Sequence, residues 1–250
     1  LFLTTVMGQC DEEQTGWWLY RTLTCQLTGA YAQTELGHGS NVRGIETTAT
    51  YDGDCFVLHS PTLRSIKFWP SSMVSATHAA VYAQLWIKGK CYGVHVFMVQ
   101  LRDENFKPLP GIEVGDVGTK LGELSVDIGY LRMKQVRVPL RCLMAKRQIV
   151  TEDGEYKRLG GGGKGGDGKS KGHNKLAYLT MMGARVTLAS GASGALSKAC
   201  TIAVRYCAVR KQGFKSSSEK EEMTLLDYGF TQYRLMKQLA FSIANKFSCN

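Results

Sequence analysis

The spacing of apolar positions changes three times along this 250-residue chain. In residues 1–28 an acidic run, Asp11-Glu12-Glu13-Gln14, precedes Trp17, Trp18 and Tyr20, which predicts a helix with an acidic first turn. So short a helical piece cannot bury its own aromatic residues, so it calls for a partner surface, expected upstream of Leu1. Residues 42–150 carry a different pattern. The runs TTATYD, DCFVLHS, AAVYAQLWI, CYGVHVFMVQL and YLRMKQVRVP are rich in β-branched and aromatic residues with partial alternation, as strands are. Register is clearest in Gly129–Val138, where Tyr130, Arg132 and Lys134 alternate with more apolar positions. Lys88-Gly89-Lys90 reads as a hairpin turn and Pro108-Leu109-Pro110-Gly111 as a loop. Short strands without long helical patterns between them predict a β-barrel or two packed sheets.

Residues 159–173 break the pattern, having no apolar residue after Leu159, and are expected to be disordered. From Leu176 the period becomes helical: Met182, Val186, Ala189, Ala192, Leu196, Cys200, Ala203 and Cys207 step by three or four along one face. Small residues dominate that face and allow close helix approach. A second helix is predicted from Met223 onward, with Leu226, Phe230, Tyr233, Met236, Leu239 and Ile243 as its apolar face. Arg210, Lys211 and Ser216–Ser218 separate the two.

Composition narrows the functional classes. Hydrophobic content of 44% and aromatic content of 10% suit a globular chain. No apolar run approaches the roughly 18 residues of a membrane span, so none is expected. The chain opens on LFLTTVMGQCDEEQ without a basic n-region, which predicts an internal boundary rather than a signal peptide. Net charge is +10, and half of it lies in KRLGGGGKGGDGKSKGHNK, with six basic residues and one acid. That distribution suits a polyanionic small ligand or a solvated loop. Nucleic-acid binding finds no supporting motif. The eight cysteines form no CxxC pair or zinc spacing, and are expected to be reduced and mostly buried, with no metal site. The five histidines show no triad spacing.

Three stretches carry candidate chemistry. In YAQTELGHGS, glycine-flanked amides and hydroxyls offer donors for carbonyl or phosphate oxygens, or simply form a polar loop leading into a strand. In IKFWPSS, Trp69 either lies against a planar ligand with Ser71 at its polar edge or is a core residue at a tight turn. Arg210, followed by Lys211 and Gln212, either meets an anion or complements a helix C-terminus.

In chain order, YAQTELGHGSNVRGIETTATYD, FVLHSPTLRSIKFWP, GKCYGVHVFMVQLRD, KPLPGIEVGDVG, GYLRMKQVRVP and LSKACTIAVRYCAVR resemble the acyl-CoA oxidase family. The resemblance covers most of residues 1–245 apart from the Gly/Lys insert. It implies an α+β, acyl-CoA dehydrogenase-like architecture. Residues 1–28 would end an N-terminal helical domain, and 29–158 would form a middle β-barrel domain for FAD and acyl-CoA. Residues 159–173 would be an insert, and 174–250 would begin a C-terminal α-bundle. The implied reaction is FAD-dependent oxidation of fatty acyl-CoA to trans-2-enoyl-CoA, with O2 reduced to hydrogen peroxide, in peroxisomal β-oxidation.

By the same resemblance, Thr34 would hydrogen-bond the flavin ring, with Tyr31 and Gln33 beside it. Gly39 would approach the flavin, Ser40 the CoA arm, Trp69 would line the ring and Ser71 its edge. Arg210 would reach the FAD pyrophosphate of a partner subunit, and Gln232 would lie in the helix closing that homodimer site. Two departures stand out: the family's WPGG reads Trp69-Pro70-Ser71-Ser72, and its Phe-Gly after the helix is inverted to Gly213-Phe214. A hydroxyl at position 71 matches the related dehydrogenases, which leaves another electron acceptor open. The family's catalytic glutamate is expected beyond residue 250, so no catalytic residue is assigned, and a non-catalytic FAD- or acyl-CoA-binding relic is the alternative. The chain ends on Ser248-Cys249-Asn250, which is not a peroxisomal SKL-type signal.

Overall fold

The computed structural model describes residues 1–122, 124–159, 173–216, 218 and 220–248, without the side chains of 173–181 and 184. Residues 160–172 of the insert, expected to be disordered, lie outside them. The chain divides into two units, Leu1–Leu176 and Ala177–Asn250.

The first unit opens with two helices, α1 (Phe2–Gln9) and α2 (Glu12–Leu23). Asp11 is the cap rather than part of the first turn: its carboxylate accepts from Gln14 N at 2.8 Å while the Gln14 side chain reaches back to Asp11 N. The same Gln14 amide donates to Arg141 O and Leu143 O at 2.9 and 2.8 Å, so the cap also anchors the helix to the β-region. No residue of α2 is buried, and Trp17 and Tyr20 remain 54% and 63% exposed.

Among the described residues eleven strands follow in chain order: β1 (Gly29–Ala32), β2 (Thr48–Asp52), β3 (Cys55–His59), β4 (Lys67–Ser71), β5 (His78–Ile87), β6 (Lys90–Gln100), β7 (Ile112–Asp116), β8 (Ile128–Met133), β9 (Val136–Pro139), β10 (Gln148–Val150) and β11 (Tyr156–Arg158). The long β5 organises the larger sheet. It runs parallel to β1 through His78–Val81 and to β2 through Gln84–Trp86, and antiparallel to β6. β3 and β9 extend the sheet beyond β2, while β4, β8 and β7 form a second sheet. The two share one core: Ala30, Phe56, Leu58, Val81 and Phe97 meet Ile112, Leu131 and Met133. The Lys88-Gly89 hairpin forms as expected, with both residues at positive φ (48° and 77°), as a two-residue type I′ turn requires.

One strand expectation is corrected. Gly129–Val138 is not one strand: Gln135 adopts φ +52°, which breaks the extended backbone and sends β8 and β9 to different sheets. The cysteines are less buried than expected. Among the seven described, all free, Cys10, Cys55 and Cys200 are buried while Cys25 and Cys91 are exposed.

The second unit holds α3 (His173–Val209), which begins in the first unit's last residues, and α4 (Gly229–Ser248). The predicted α3 stripe packs only in its C-terminal half. Cys200 is buried and Leu196, Ala203 and Cys207 are half-buried, whereas Met182, Val186, Ala189 and Ala192 are exposed. In α4 the packed face differs from the predicted one. Phe230, Tyr233, Met236 and Ile243 are exposed, while Leu235, Leu239 and buried Ser242 turn inward. The reason is visible at the contact: Ser197 and Ser242 hydroxyls meet at 3.0 Å, a polar, close-packed seam that apolar periodicity does not mark. No described helix is long and apolar enough to cross a membrane.

Candidate functional site

Parallel pairing with β5 delivers the end of β1 to a loop, Gln33–Ser40, whose turn closes by reciprocal bonds between Glu35 and His38 (3.0 and 3.1 Å). This loop docks on the chain thirty residues later. Phe68 N donates to Thr34 O at 3.0 Å, Leu36 N to Ile66 O at 2.9 Å and Gly37 N to Arg64 O at 2.9 Å. The fold therefore makes YAQTELGHGS and IKFWPSS immediate neighbours.

Beneath their shared surface lies an ion pair that neither stretch announces. Glu35 Oε1 and Lys67 Nζ are 3.0 Å apart, and both side chains are fully excluded from solvent. A carboxylate survives there only with many donors. Glu35 also accepts from Thr47 Oγ1 (2.6 Å), Thr47 N (2.9 Å) and Glu46 N (2.7 Å), and lies 3.1 Å from His38 Nδ1. Burial alone pushes its pKa up, but Lys67, the Thr47 hydroxyl and the two amides outweigh that and hold it below the usual carboxylate value. Burial lowers Lys67 to about 8 against the pull of Glu35, so both groups are charged at neutral pH. Lys67 also donates to Gln33 O at 3.2 Å. The network continues outward: His38 Nε2 lies 3.7 Å from Glu46, which pairs with Arg64 Nε at 3.3 Å and accepts from Thr62 Oγ1 (2.5 Å). Both carboxylates of the region are thus committed to structure, and neither is placed as a general base.

Above the pair the surface is open. Lys67 and Pro70 point inward along β4, while Trp69 and Ser71 point outward. Trp69 is 54% exposed, so the core-residue alternative fails. Its backbone sits at φ +77° where the β4–β8 register shifts, and Ser72 follows at φ +67°. Non-glycine residues adopt this region at a cost of about 1 kcal/mol or more, and such strain clusters at functional sites. The turn is braced from behind. Ser72 N and Val74 N donate to Asp127 O and Oδ2, each at 2.8 Å. The buried Arg102 donates to Ala76 O (2.7 Å) and Met73 O (2.8 Å).

The expected site residues thus separate into two groups. Thr34, Gly39, Ser40, Trp69 and Ser71 are exposed. Tyr31 and Gln33 stand behind them: Gln33 is buried and accepts from Tyr31 Oη at 2.8 Å, and the Tyr31 ring packs 5.2 Å from Tyr82. Burial and the Tyr82 hydroxyl drive the Tyr31 phenol well above its ordinary pKa. The two glycines differ as well. A Cβ on Gly37 would meet Arg64 Cβ at 2.9 Å, whereas one on Gly39 would meet nothing within 4 Å. The fold needs a glycine at 37; at 39 it leaves open space. An exposed indole with hydroxyl residues close by suits a flat aromatic group with a polar edge.

Arg210 and Gln232 belong to the second unit. Arg210, exposed just past α3, donates its N–H to Tyr206 O (2.9 Å) and accepts from Leu225 N (2.8 Å). Gln232 is exposed in the first turn of α4, its N–H on Tyr228 O at 3.0 Å. Sequence reasoning missed Lys67, Ser72, Arg102 and Asp127. The one available signal was Lys67 itself, a lone charge inside the apolar run IKFWP. Among the described residues, no three His, Cys, Asp or Glu side chains cluster to hold a metal.

Residues 178–250 match the family model "Acyl-CoA oxidase, C-alpha1 domain". Across its length the chain is 44% identical to peroxisomal acyl-coenzyme A oxidase 1 of Bos taurus, covering 99% of this chain and 36% of that protein. Its fold matches Arabidopsis thaliana acyl-CoA oxidase 1 with a TM-score of 0.89 at 43% identity, covering 100% of this chain and 37% of the other. In sequence and in fold, the chain matches a segment of the acyl-CoA oxidases. Caenorhabditis elegans acyl-CoA oxidase-2, solved with FAD, ascaroside-CoA and ATP, matches with a TM-score of 0.89 at 41% identity, covering 99% of this chain and 36% of that one. The chain therefore spans about a third of the acyl-CoA oxidases it matches, and its α+β fold is theirs.

Proposed function

We propose that this chain supplies the flavin platform and part of the thioester site of a peroxisomal acyl-CoA oxidase. The protein would oxidise fatty acyl-CoA to trans-2-enoyl-CoA and reduce O2 to hydrogen peroxide. The observation that carries the reading is the exposed Trp69 indole, held at a strained bulge beside the exposed Thr34. An apolar plane bordered by hydroxyls fits the isoalloxazine ring of FAD, which when bound supplies a two-electron acceptor for the substrate's β-hydride.

The chain's own residues have distinct tasks in this reading. Trp69 would cover the ring and exclude water from it. Thr34 and Ser71 would donate hydrogen bonds to its polar edge, and the open space at Gly39 would admit its close approach. Ser40 would meet the CoA arm. Tyr31 and Gln33, joined to each other by a 2.8 Å hydrogen bond, stand beside Thr34. Arg210, a permanent cation beyond the end of α3, would pair with the FAD pyrophosphate of a second subunit, and Gln232 would line the same dimer site. The general base that removes the substrate's α-proton lies outside these residues, since Glu35 and Glu46 are consumed by Lys67, His38, Arg64 and Thr62.

The test uses the intact protein. It should purify yellow with bound FAD and release peroxide when given palmitoyl-CoA. Trp69→Ala and Thr34→Val should each weaken FAD binding without unfolding the chain. A protein that takes up no FAD would overturn the reading.

A further inference from the structure

We propose that Glu35 and Lys67 are positioning residues for the flavin, an internal staple that sets the distance between Thr34 and Trp69. This inference rests on the reading above, in which those two residues meet the ring.

Four observations converge on it. Glu35 follows Thr34 directly, and Lys67 lies two residues before Trp69. Their side chains meet at 3.0 Å with no solvent exposure on either. The Lys67 ammonium contacts the residues on either side of Thr34, donating to Gln33 O at 3.2 Å as well as to the Glu35 carboxylate. The backbone bridge Glu35↔Lys67 and the Phe68 N–Thr34 O bond put the same register into the main chain.

The placement is informative because it is costly. A charge pair moved wholly out of water recovers its desolvation only with near-complete hydrogen bonding. An apolar pair would hold a loop against a strand equally well, but without direction. Five donors converge on the Glu35 carboxylate, from Lys67, both polar groups of Thr47, Glu46 N and His38. They fix it in all three dimensions, whereas apolar contacts tolerate sliding. A slot for a planar ring needs that rigidity, since small displacements of aligned groups weaken binding and reaction steeply.

The experiment compares the intact protein with Glu35→Gln/Lys67→Met, which removes both charges and leaves no buried ion unpaired. FAD affinity is read by quenching of flavin fluorescence. The ring's contacts are read by visible circular dichroism of bound FAD, and folding by far-ultraviolet circular dichroism. The staple predicts a folded double variant whose FAD dissociation constant rises about tenfold, a loss of about 1.4 kcal/mol, with an altered visible spectrum. Should the double variant not fold, Thr47→Val removes the hydroxyl that meets Glu35 at 2.6 Å and Ser65 O at 3.1 Å while leaving both charges in place, and a smaller rise of about threefold is expected. Unchanged affinity and an unchanged visible spectrum in whichever variant folds overturn the staple while leaving the flavin reading intact. Absence of FAD from the unmodified protein overturns the flavin reading and the staple with it.

Discussion

Phe56 and Phe230 are the same side chain in opposite circumstances. Phe56, in β3, is fully buried with Phe97 and Tyr51 rings 5.2 and 6.3 Å away. Phe230, in the first turn of α4, is 70% exposed and carries the Arg234 guanidinium 4.9 Å over its ring. Both positions were equally apolar members of a regular pattern. Periodicity identifies positions that favour burial; whether they obtain it depends on what the rest of the fold lays against them. In the β-region two sheets close over the pattern. In the helical unit the described residues close on a serine-containing seam, and Phe230, Tyr233, Met236 and Ile243 face outward.

Phe56→Ala should have the largest effect. Loss of the buried ring plus the cavity it leaves should cost about 3–5 kcal/mol, read from a urea or thermal melt. A shift no larger than that of a surface substitution would show that the β-core is not the stabilising centre.

Lys67→Met should approach the same size by a different route. At pH 7 it strands the Glu35 carboxylate in the interior, and breaking one partner of a buried pair costs about 3–5 kcal/mol. The sign of its pH dependence follows from Glu35, whose pKa in the fold lies below the ordinary 4.5 because Lys67 and its other donors outweigh burial. From 4.5 up to neutral pH, below the value of about 8 at which Lys67 gives up its proton, the pair's contribution is complete, and it is lost as pH falls through the lowered Glu35 value. The gap between wild type and Lys67→Met should therefore narrow in acid. A gap that is constant from neutral pH down to strong acid would mean the pair contributes nothing electrostatic.

The two loop glycines separate a packing role from a binding role. Gly37→Ala drives a Cβ to 2.9 Å from Arg64 Cβ and should cost about 1–3 kcal/mol as an overpacked contact. Gly39→Ala meets no neighbour within 4 Å; it should leave the melt unchanged and reduce FAD affinity. Reversal of those two results would exchange their roles. Ser72→Gly should stabilise by about 1 kcal/mol, since glycine adopts the φ of +67° without steric penalty. Phe230→Ser is the smallest expected change, within about 0.5 kcal/mol on the melt of this chain, as for surface substitutions generally.

Much of the architecture was legible because it rests on local rules. Alternation marked β2, β3, β5 and β6, Lys88-Gly89 marked the tight hairpin, and a period of three or four marked both long helices. Position-by-position readings failed where a single residue outweighed the pattern. Gln135 in a left-handed conformation split a continuous alternating run into two strands of separate sheets. In α4, Ser242 rather than a large apolar residue marked the packed side.

The site divided in the same way. Thr34, Gly39, Trp69 and Ser71 were marked in the sequence by residue type and by family resemblance, since hydroxyls, glycines and a Trp-Pro pair are local features. Glu35 was in view as a carboxylate but not as the interior partner of Lys67. Nothing in the spacing of residues 35 and 67 says that a parallel pairing of β1 with β5 and a docked loop will bring them to 3.0 Å. Propensity and periodicity act over a few residues, so the order of amino acids sets which groups are available and which backbone patterns they favour. The folded chain selects which carboxylate is spent on structure, which indole stays exposed and which apolar positions are left open. Burial and charge pairing are properties of neighbours brought together across the chain.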